Sequence, residues 1–242
     1  MEWIDANTFF GTWHRRRLDV PPEELVRLLK DAGSSRALTL SLSAPLLEAD
    51  EGNDMTRLMC LQHRELIPFG TVDPRVYTGG DGVRRLTELG CAAVRLTNGI
   101  CGYSLDASTV EVVLKECAET DMTAFVDVAG HGQPTAIERL TERTGARVVM
   151  CGAHHVLLAE TLVCMKRSPR LFLETSRLNT PDGVRLACRE VGPDRVLFGS
   201  GAPFNYAACA RMVAEHQDLA EEELSWVASR TVKSLLREEF RA

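Results

Sequence analysis

Residues 147–174, RVVMCGAHHVLLAETLVCMKRSPRLFLE, read as strand, helix, strand. Arg147–Cys151 and Leu171–Glu174 are short, almost continuously apolar runs, the pattern of strands buried on both faces. The intervening HVLLAETLVCMKRS has a helical pattern and is long enough to cross between two parallel strands. The same unit recurs in both directions along the chain. Further strands are expected at Trp3–Asp5, Ala37–Ser43, Leu66–Val72, Ala92–Leu96, Thr123–Val128 and Val196–Gly199. Helical patterns fill the gaps, several opening on Pro or Asp and stopping at Gly, as PPEELVRLLKDAG does. Eight strands alternating with helices over 242 residues is the count of a (β/α)8 TIM barrel. A doubly wound open sheet would call for a GxGxxG after an early strand, and none occurs. No linker or short repeat divides the chain, so residues 1–242 are expected to form a single domain. The terminal EEELSWVASRTVKSLLREEF places Leu224, Val227, Thr231 and Leu235 on one face, which predicts a docked C-terminal amphipathic helix.

Composition excludes several classes. With 28 Lys+Arg against 34 Asp+Glu the net charge is −6, which disfavours a dedicated nucleic-acid partner. Hydrophobic residues at 45% and charged residues at 26% exclude whole-chain disorder. No apolar run is long enough for a membrane helix, and MEWIDANTFF has acids where a signal peptide needs bases. The eight cysteines are spread thinly, with no CxxC pair. They read as reduced core thiols of a cytoplasmic chain.

In a barrel of this kind, function belongs to the residues just past each strand. Those positions carry Asp5-Ala6-Asn7-Thr8-Phe9, Arg95, Asp127, His131, Cys151-Gly152, His154-His155, Glu174 and Gly199-Ser200-Gly201. Arg95 suits a substrate carboxylate, or a buried pair with Glu174 or Asp127. Cys151 reads as a core thiol or as a nucleophile with His131 or His154 as base. Arg15-Arg16-Arg17 is a solvated face, a partner contact or an attractor of anions.

Five segments, in order, resemble the amidohydrolase superfamily: WIDANTFFG (3–11), GCAAVRL (90–96), RVVMCGA (147–153), LFLETS (171–176) and DRVLFGSGAP (194–203). The branch resembled contains aminocarboxymuconate-semialdehyde decarboxylase and the pyrone-dicarboxylate lactonases. The resemblance spans the chain but departs at the positions it implies for a metal. The two N-terminal histidines of the family pattern correspond to Asn7 and Phe9. A third falls near His131, a fourth at Gly152, and the strand-end Asp of the last strand at Gly201. Arg230-Thr231 replaces the usual Asn-Ala. Phenylalanine and glycine donate no side-chain lone pair, and a catalytic zinc needs about three converging ligands, so no metal and no cofactor are expected. A rearranged site would have to draw on His14, His131, His154 and His155, with Asp127 and Glu174.

Two functions follow from the resemblance. One is a degenerate pseudoenzyme subunit, in a homo- or hetero-oligomer, that assembles with or regulates an active amidohydrolase paralogue. The alternative is a metal-independent hydrolase, lactonase or decarboxylase acting on a small anionic, carboxylated metabolite at the C-terminal face. For it, Asp5, His131 and His154 are the candidate catalytic residues. Asn7, Arg95, Glu174 and Ser200 are the candidate substrate-binding residues.

Overall fold

A computed structural model describes residues 1–241, with the side chain of Arg16 left aside. The strands are β1 (Ile4–Trp13), β2 (Leu18–Val20), β3 (Arg36–Ser41), β4 (Leu66–Gly70) and β5 (Ala93–Leu96). They continue with β6 (Ala124–Asp127), β7 (Val148–Cys151), β8 (Leu171–Glu174) and β9 (Val196–Leu197). They form one nine-stranded sheet in the order β2-β1-β3-β4-β5-β6-β7-β8-β9. Every neighbouring pair is parallel except β1–β2. The sheet curls until its ends meet. Ala6 N–H donates to Phe198 O at 2.9 Å, Phe9 N–H to Ala202 O at 2.8 Å, and Gly201 N–H to Asn7 O at 2.9 Å.

The helices of the first half are α1 (Pro22–Asp31), α2 (Ser43–Leu46), α3 (Ala49–Gln62), α4 (Gly82–Leu89), α5 (Asn98–Cys101) and α6 (Ser108–Glu119). Those of the second half are α7 (Gln133–Thr144), α8 (Leu158–Arg167), α9 (Gly183–Val191), α10 (Ala207–Glu215), α11 (Glu221–Ser225) and α12 (Thr231–Leu235).

Two features differ from the expectation. The first strand does not stop at Asp5. It runs ten residues to Trp13 and turns back through His14–Arg16 into the antiparallel β2. Gly11 carries the change of pairing with φ +97°, a conformation that L side chains avoid. The C-terminal segment is also not one regular amphipathic helix. Between α11 and α12 a π-turn spans Trp226–Arg230. There the Val227 carbonyl accepts the Phe198 N–H at 2.8 Å, which ties this segment to the end of β9.

Strand alternation separates two cores. Val94, Leu96, Ala124, Val126, Val148 and Met150 face the helices. The alternate residues Leu38, Leu40, Ile67, Phe69, Ala93, Phe125, Val149 and Leu197 pack together inside the curl. Phe69 and Phe125 meet edge to face with centroids 4.9 Å apart. The same alternation carried one step toward the strand C-termini reaches Arg95, Asp127, Cys151 and Glu174. Polar side chains thus gather above an apolar floor.

Candidate active site at the barrel mouth

Two buried carboxylates and one ion pair build the mouth. Arg95 of β5 is 2% exposed and pairs through Nη2 with Asp127 Oδ1 at the end of β6. Its Nη1 donates to Leu96 O at 2.8 Å and Phe125 O at 3.2 Å, and Nη2 lies 3.5 Å from Asn7 Oδ1. Burial is the largest influence and works against the Arg95 charge, but the acidic groups around it, Asp127 foremost with Cys151 and Glu174, together outweigh it and the net pKa shift is upward. Asp127 Oδ2 accepts the Gly99 N–H at 3.2 Å. The Arg95 guanidinium is therefore held inside the wall by Asp127.

Glu174 of β8 is fully buried, and that burial raises its pKa against several hydrogen bonds. Its Oε2 accepts from Asn7 Nδ2 at 3.0 Å, Gly152 N–H at 3.0 Å and Ser176 Oγ at 2.8 Å. Its Oε1 accepts the Ser176 N–H. A Cβ at Gly199 would come within 2.3 Å of Glu174 Oε1, so the bare backbone there makes room for this carboxylate. Asn7 links the two halves. It sits in a register shift between Asp5 and Thr8 of β1, where an irregularity re-aims a side chain.

Asp5 is also fully buried. Desolvation lifts its pKa to about 7, although Oδ1 accepts Ser200 N–H at 2.9 Å and Asn7 N–H at 3.1 Å. Its Oδ2 has no partner among the described residues. Ser200 is buried, and its Oγ accepts the Ala202 N–H at 3.0 Å.

Above this network lies a cavity of about 310 Å³. Asn7, Arg95, Asp127, Cys151 and Ser176 line its polar and thiol side, and Phe9, Trp13 and Phe204 its aromatic side. The Phe204 ring stands 4.6 Å from Trp13 and 5.6 Å from Phe9. Arg177 and Asn205, both exposed, complete the rim. Arg177 makes no ion pair or hydrogen bond among the described residues.

The structure thus brings Asn7, Arg95 and Glu174 into one network, with Asn7 and Arg95 reaching the cavity. Asp5, Ser200, His131 and His154 do not line it. His131 is exposed on the turn after β6, and His154 stacks on His155 with ring centroids 3.9 Å apart. His14 lies on the β1–β2 turn beside a different groove. Cys151 is buried, donates to Val149 O at 3.7 Å, and has its thiol pKa pushed up by desolvation, so it behaves as a core thiol. Arg177, Phe204 and Asn205 were not singled out from the sequence. Each follows a strand that was, three residues past Glu174 and just beyond GSGAP, so the strand-end rule could have found them.

No protein-family model matches the chain, and no curated protein matches its sequence. Solved structures do match its shape. A 2,6-dihydroxybenzoate decarboxylase bound to 2,6-dihydroxybenzoate superposes with TM-score 0.75 at 14% identity, covering 97% of this chain and 98% of the other. A candidate amidohydrolase from Staphylococcus aureus superposes with TM-score 0.75 at 12% identity, covering 98% and 99%. A 5-carboxyvanillate decarboxylase from Novosphingobium aromaticivorans, holding manganese and 4-hydroxy-3-methoxy-5-nitrobenzoic acid, superposes with TM-score 0.76 at 14% identity, covering 97% and 95%. The chain shares the barrel fold of these structures.

Within that fold the mouth does not suit a divalent cation. Among the described residues no three His, Cys, Asp or Glu side chains gather where they could hold one. The Arg95 guanidinium already neutralises Asp127, Phe9 contributes a ring, and four donors already occupy Glu174.

Proposed function

We propose that this amidohydrolase-type barrel is a metal-independent lyase or hydrolase acting on a small, planar carboxylate at its mouth. The observation that carries the proposal is the cavity, which gathers Arg177, the Arg95–Asp127 pair and an aromatic wall. A guanidinium without a partner at a rim recognises a carboxylate by a two-pronged, charge-assisted contact. Phe9, Trp13 and Phe204 offer faces and edges to a flat ring. Asn205 and Asn7 supply directional hydrogen bonds.

Asp127 is the carboxylate that reaches the cavity, so the proposal gives it the proton. It accepts one from an attacking water in a hydrolysis, or relays one to the carbon that loses CO2 in a decarboxylation. Asp5, His131 and His154 lie outside the cavity and are left without a catalytic role. Arg95 orients Asp127, and Glu174 with Asn7 fixes the wall. The molecules bound to two of the structural neighbours, 2,6-dihydroxybenzoate and a nitrobenzoic acid, are aromatic carboxylates and support the substrate class.

The described residues 1–241 are read as one eight-stranded barrel extended by the β2 hairpin. The cysteines, free among the described residues, fit a reducing compartment, and a cytoplasmic location belongs to the same proposal. No helix among the described residues is long and apolar enough to cross a membrane.

The test is a panel of hydroxylated benzoates and lactone acids. Melting temperature reports binding, and released CO2 or hydroxy acid separates the two reactions. A ligand at about a hundred times its Kd adds about 2.7 kcal/mol of stability, a readily measured shift. The shift should vanish in Arg177→Ala, and turnover should vanish in Asp127→Asn. Absence of any shift across the panel overturns the proposal. Binding without turnover favours a second reading, a non-catalytic subunit that works with an active relative, which rests on the departures at Asn7, Phe9, Gly152 and Gly201.

A further inference from the structure

We propose that the mouth takes a two-part ligand, a ring carboxylate whose apolar arm, a second ring or a short alkyl chain, lies in a neighbouring pocket across the rim. This rests on the carboxylate site proposed above and adds the shape of the molecule that fills it. The neighbouring pocket measures about 150 Å³ and sits where the loops after β8 and β9 meet α9 and α10. Leu178 and Val184 wall it from the β8 loop and α9, and Ala210, Val213 and Ala214 from α10. Tyr206, 83% exposed, adds a ring. Among the described residues no charged side chain lines it. An apolar cavity of about this size holds a benzene-sized group.

Two residues tie this pocket to the mouth. Ser176 and Asn205 line both cavities. Along the same two loops their neighbours divide, Arg177 and Phe204 lining the mouth, Leu178 and Tyr206 the pocket. The cavities therefore lie on either side of one short crest. That crest carries only a serine and an asparagine, each held by its own hydrogen bond. Ser176 Oγ donates to Glu174 Oε2 at 2.8 Å, and Asn205 Nδ2 donates to Ser200 O at 3.1 Å. Gly201 brings the two side by side, because a Cβ there would stand 2.7 Å from Asn205 Nδ2 and 3.5 Å from Ser176 Cβ. Charge sorts the two ends of the ligand. Arg95, Asp127 and Arg177 all belong to the mouth, so the carboxylate is seated there, next to the crest. The arm crosses Ser176 and Asn205 and gains by leaving water for an uncharged pocket.

Titration calorimetry on the full chain with benzoate, 3-butylbenzoate and 4-butylbenzoate tests this. A fully buried methylene is worth about fourfold in affinity, so a half-covered butyl arm on the better-placed isomer should bind roughly tenfold tighter than benzoate. Arg177→Ala should weaken all three alike. Val213→Trp, which fills the pocket, should erase the advantage of the arm. A second measurement needs no variant. Cys209 lines the pocket and is exposed, whereas Cys101 is half-buried and the other cysteines are buried. Saturating butylbenzoate should slow alkylation of Cys209 by iodoacetamide several-fold, and saturating benzoate should leave its rate unchanged. Equal affinities for benzoate and both butyl isomers overturn the two-part ligand and leave the carboxylate site standing. So does a Cys209 rate that butylbenzoate does not change. Butylbenzoate affinity that survives Arg177→Ala also overturns it, since the arm would then bind without its carboxylate. Failure of all three probes to bind overturns the two-part ligand and the carboxylate site together.

Discussion

The interior of the barrel holds two regions, one above the other, made by the same alternation of side chains. Below, Phe69, Phe125, Val149 and Leu197 form an apolar floor with rings in contact. Above, Asn7, Arg95, Asp127 and Glu174 form a polar network joined by hydrogen bonds and one ion pair. The floor is stable because it excludes water without needing partners. The mouth is stable only while its members are all present, since removal of one leaves another buried and uncompensated. The lesson is that close packing tolerates many sequences, whereas a buried network tolerates few.

Four experiments break or sharpen that contrast. The largest effect is expected at the floor, where Phe125→Ala should cost about 3–5 kcal/mol in denaturant unfolding. Phe125→Leu, which keeps most of the volume, should recover most of it. At the mouth, Arg95→Met should cost about 3 kcal/mol by stranding Asp127. Arg95→Met combined with Asp127→Leu should recover much of that loss, where the floor has no comparable second-site cure.

The third experiment uses pH. The folded Asp5 carboxyl has its pKa raised to about 7, while the unfolded group keeps its ordinary value near 3.8. Between those values the unfolded chain has released a proton that the folded chain still binds. Stability therefore falls as pH rises through that window and levels off above it, with a slope of up to about 1.4 kcal/mol per pH unit. Glu174, also shifted upward, adds to the same trend. Asp5→Asn keeps an oxygen for the Ser200 and Asn7 N–H groups and should flatten the slope. An unchanged profile would show that Asp5 does not titrate as its burial demands. The smallest structural effect is expected at the rim. Arg177→Ala should leave the unfolding midpoint unchanged while ligand binding is lost, and a shifted midpoint would place Arg177 in the framework instead.

Much of the architecture was legible because parallel strands buried on both faces are written as apolar runs. Leu171–Glu174 was placed to the residue, and Arg147–Cys151 to within one. Leu18–Val20 was not, because LDV behind three arginines is too short to show a period. The terminal helix was read from Leu224, Val227, Thr231 and Leu235, which do keep helical spacing. The spacing could not show that the Val227 carbonyl would be claimed by Phe198. The site was legible as addresses more than as contacts. Arg95 stood out as a charge inside an apolar run, with Asp127 among the partners considered. That Glu174 would be held by backbone N–H groups of Gly152 and Ser176 is a property of loop geometry, which side-chain identity does not encode.

The seam that joins the two ends of the sheet has a consequence for how the chain is made. Asp5 and Ser200, which meet across it, are 195 residues apart. During synthesis the N-terminal strand therefore emerges from the ribosome long before its last neighbour exists. Contacts this distant are slow to form, and until they form β1 offers an unpaired backbone edge to other nascent chains. A chain cut short before Ser200 would never seal the seam, so interrupted translation should yield aggregates, and holding chaperones should matter most before the last fifth of the chain is released.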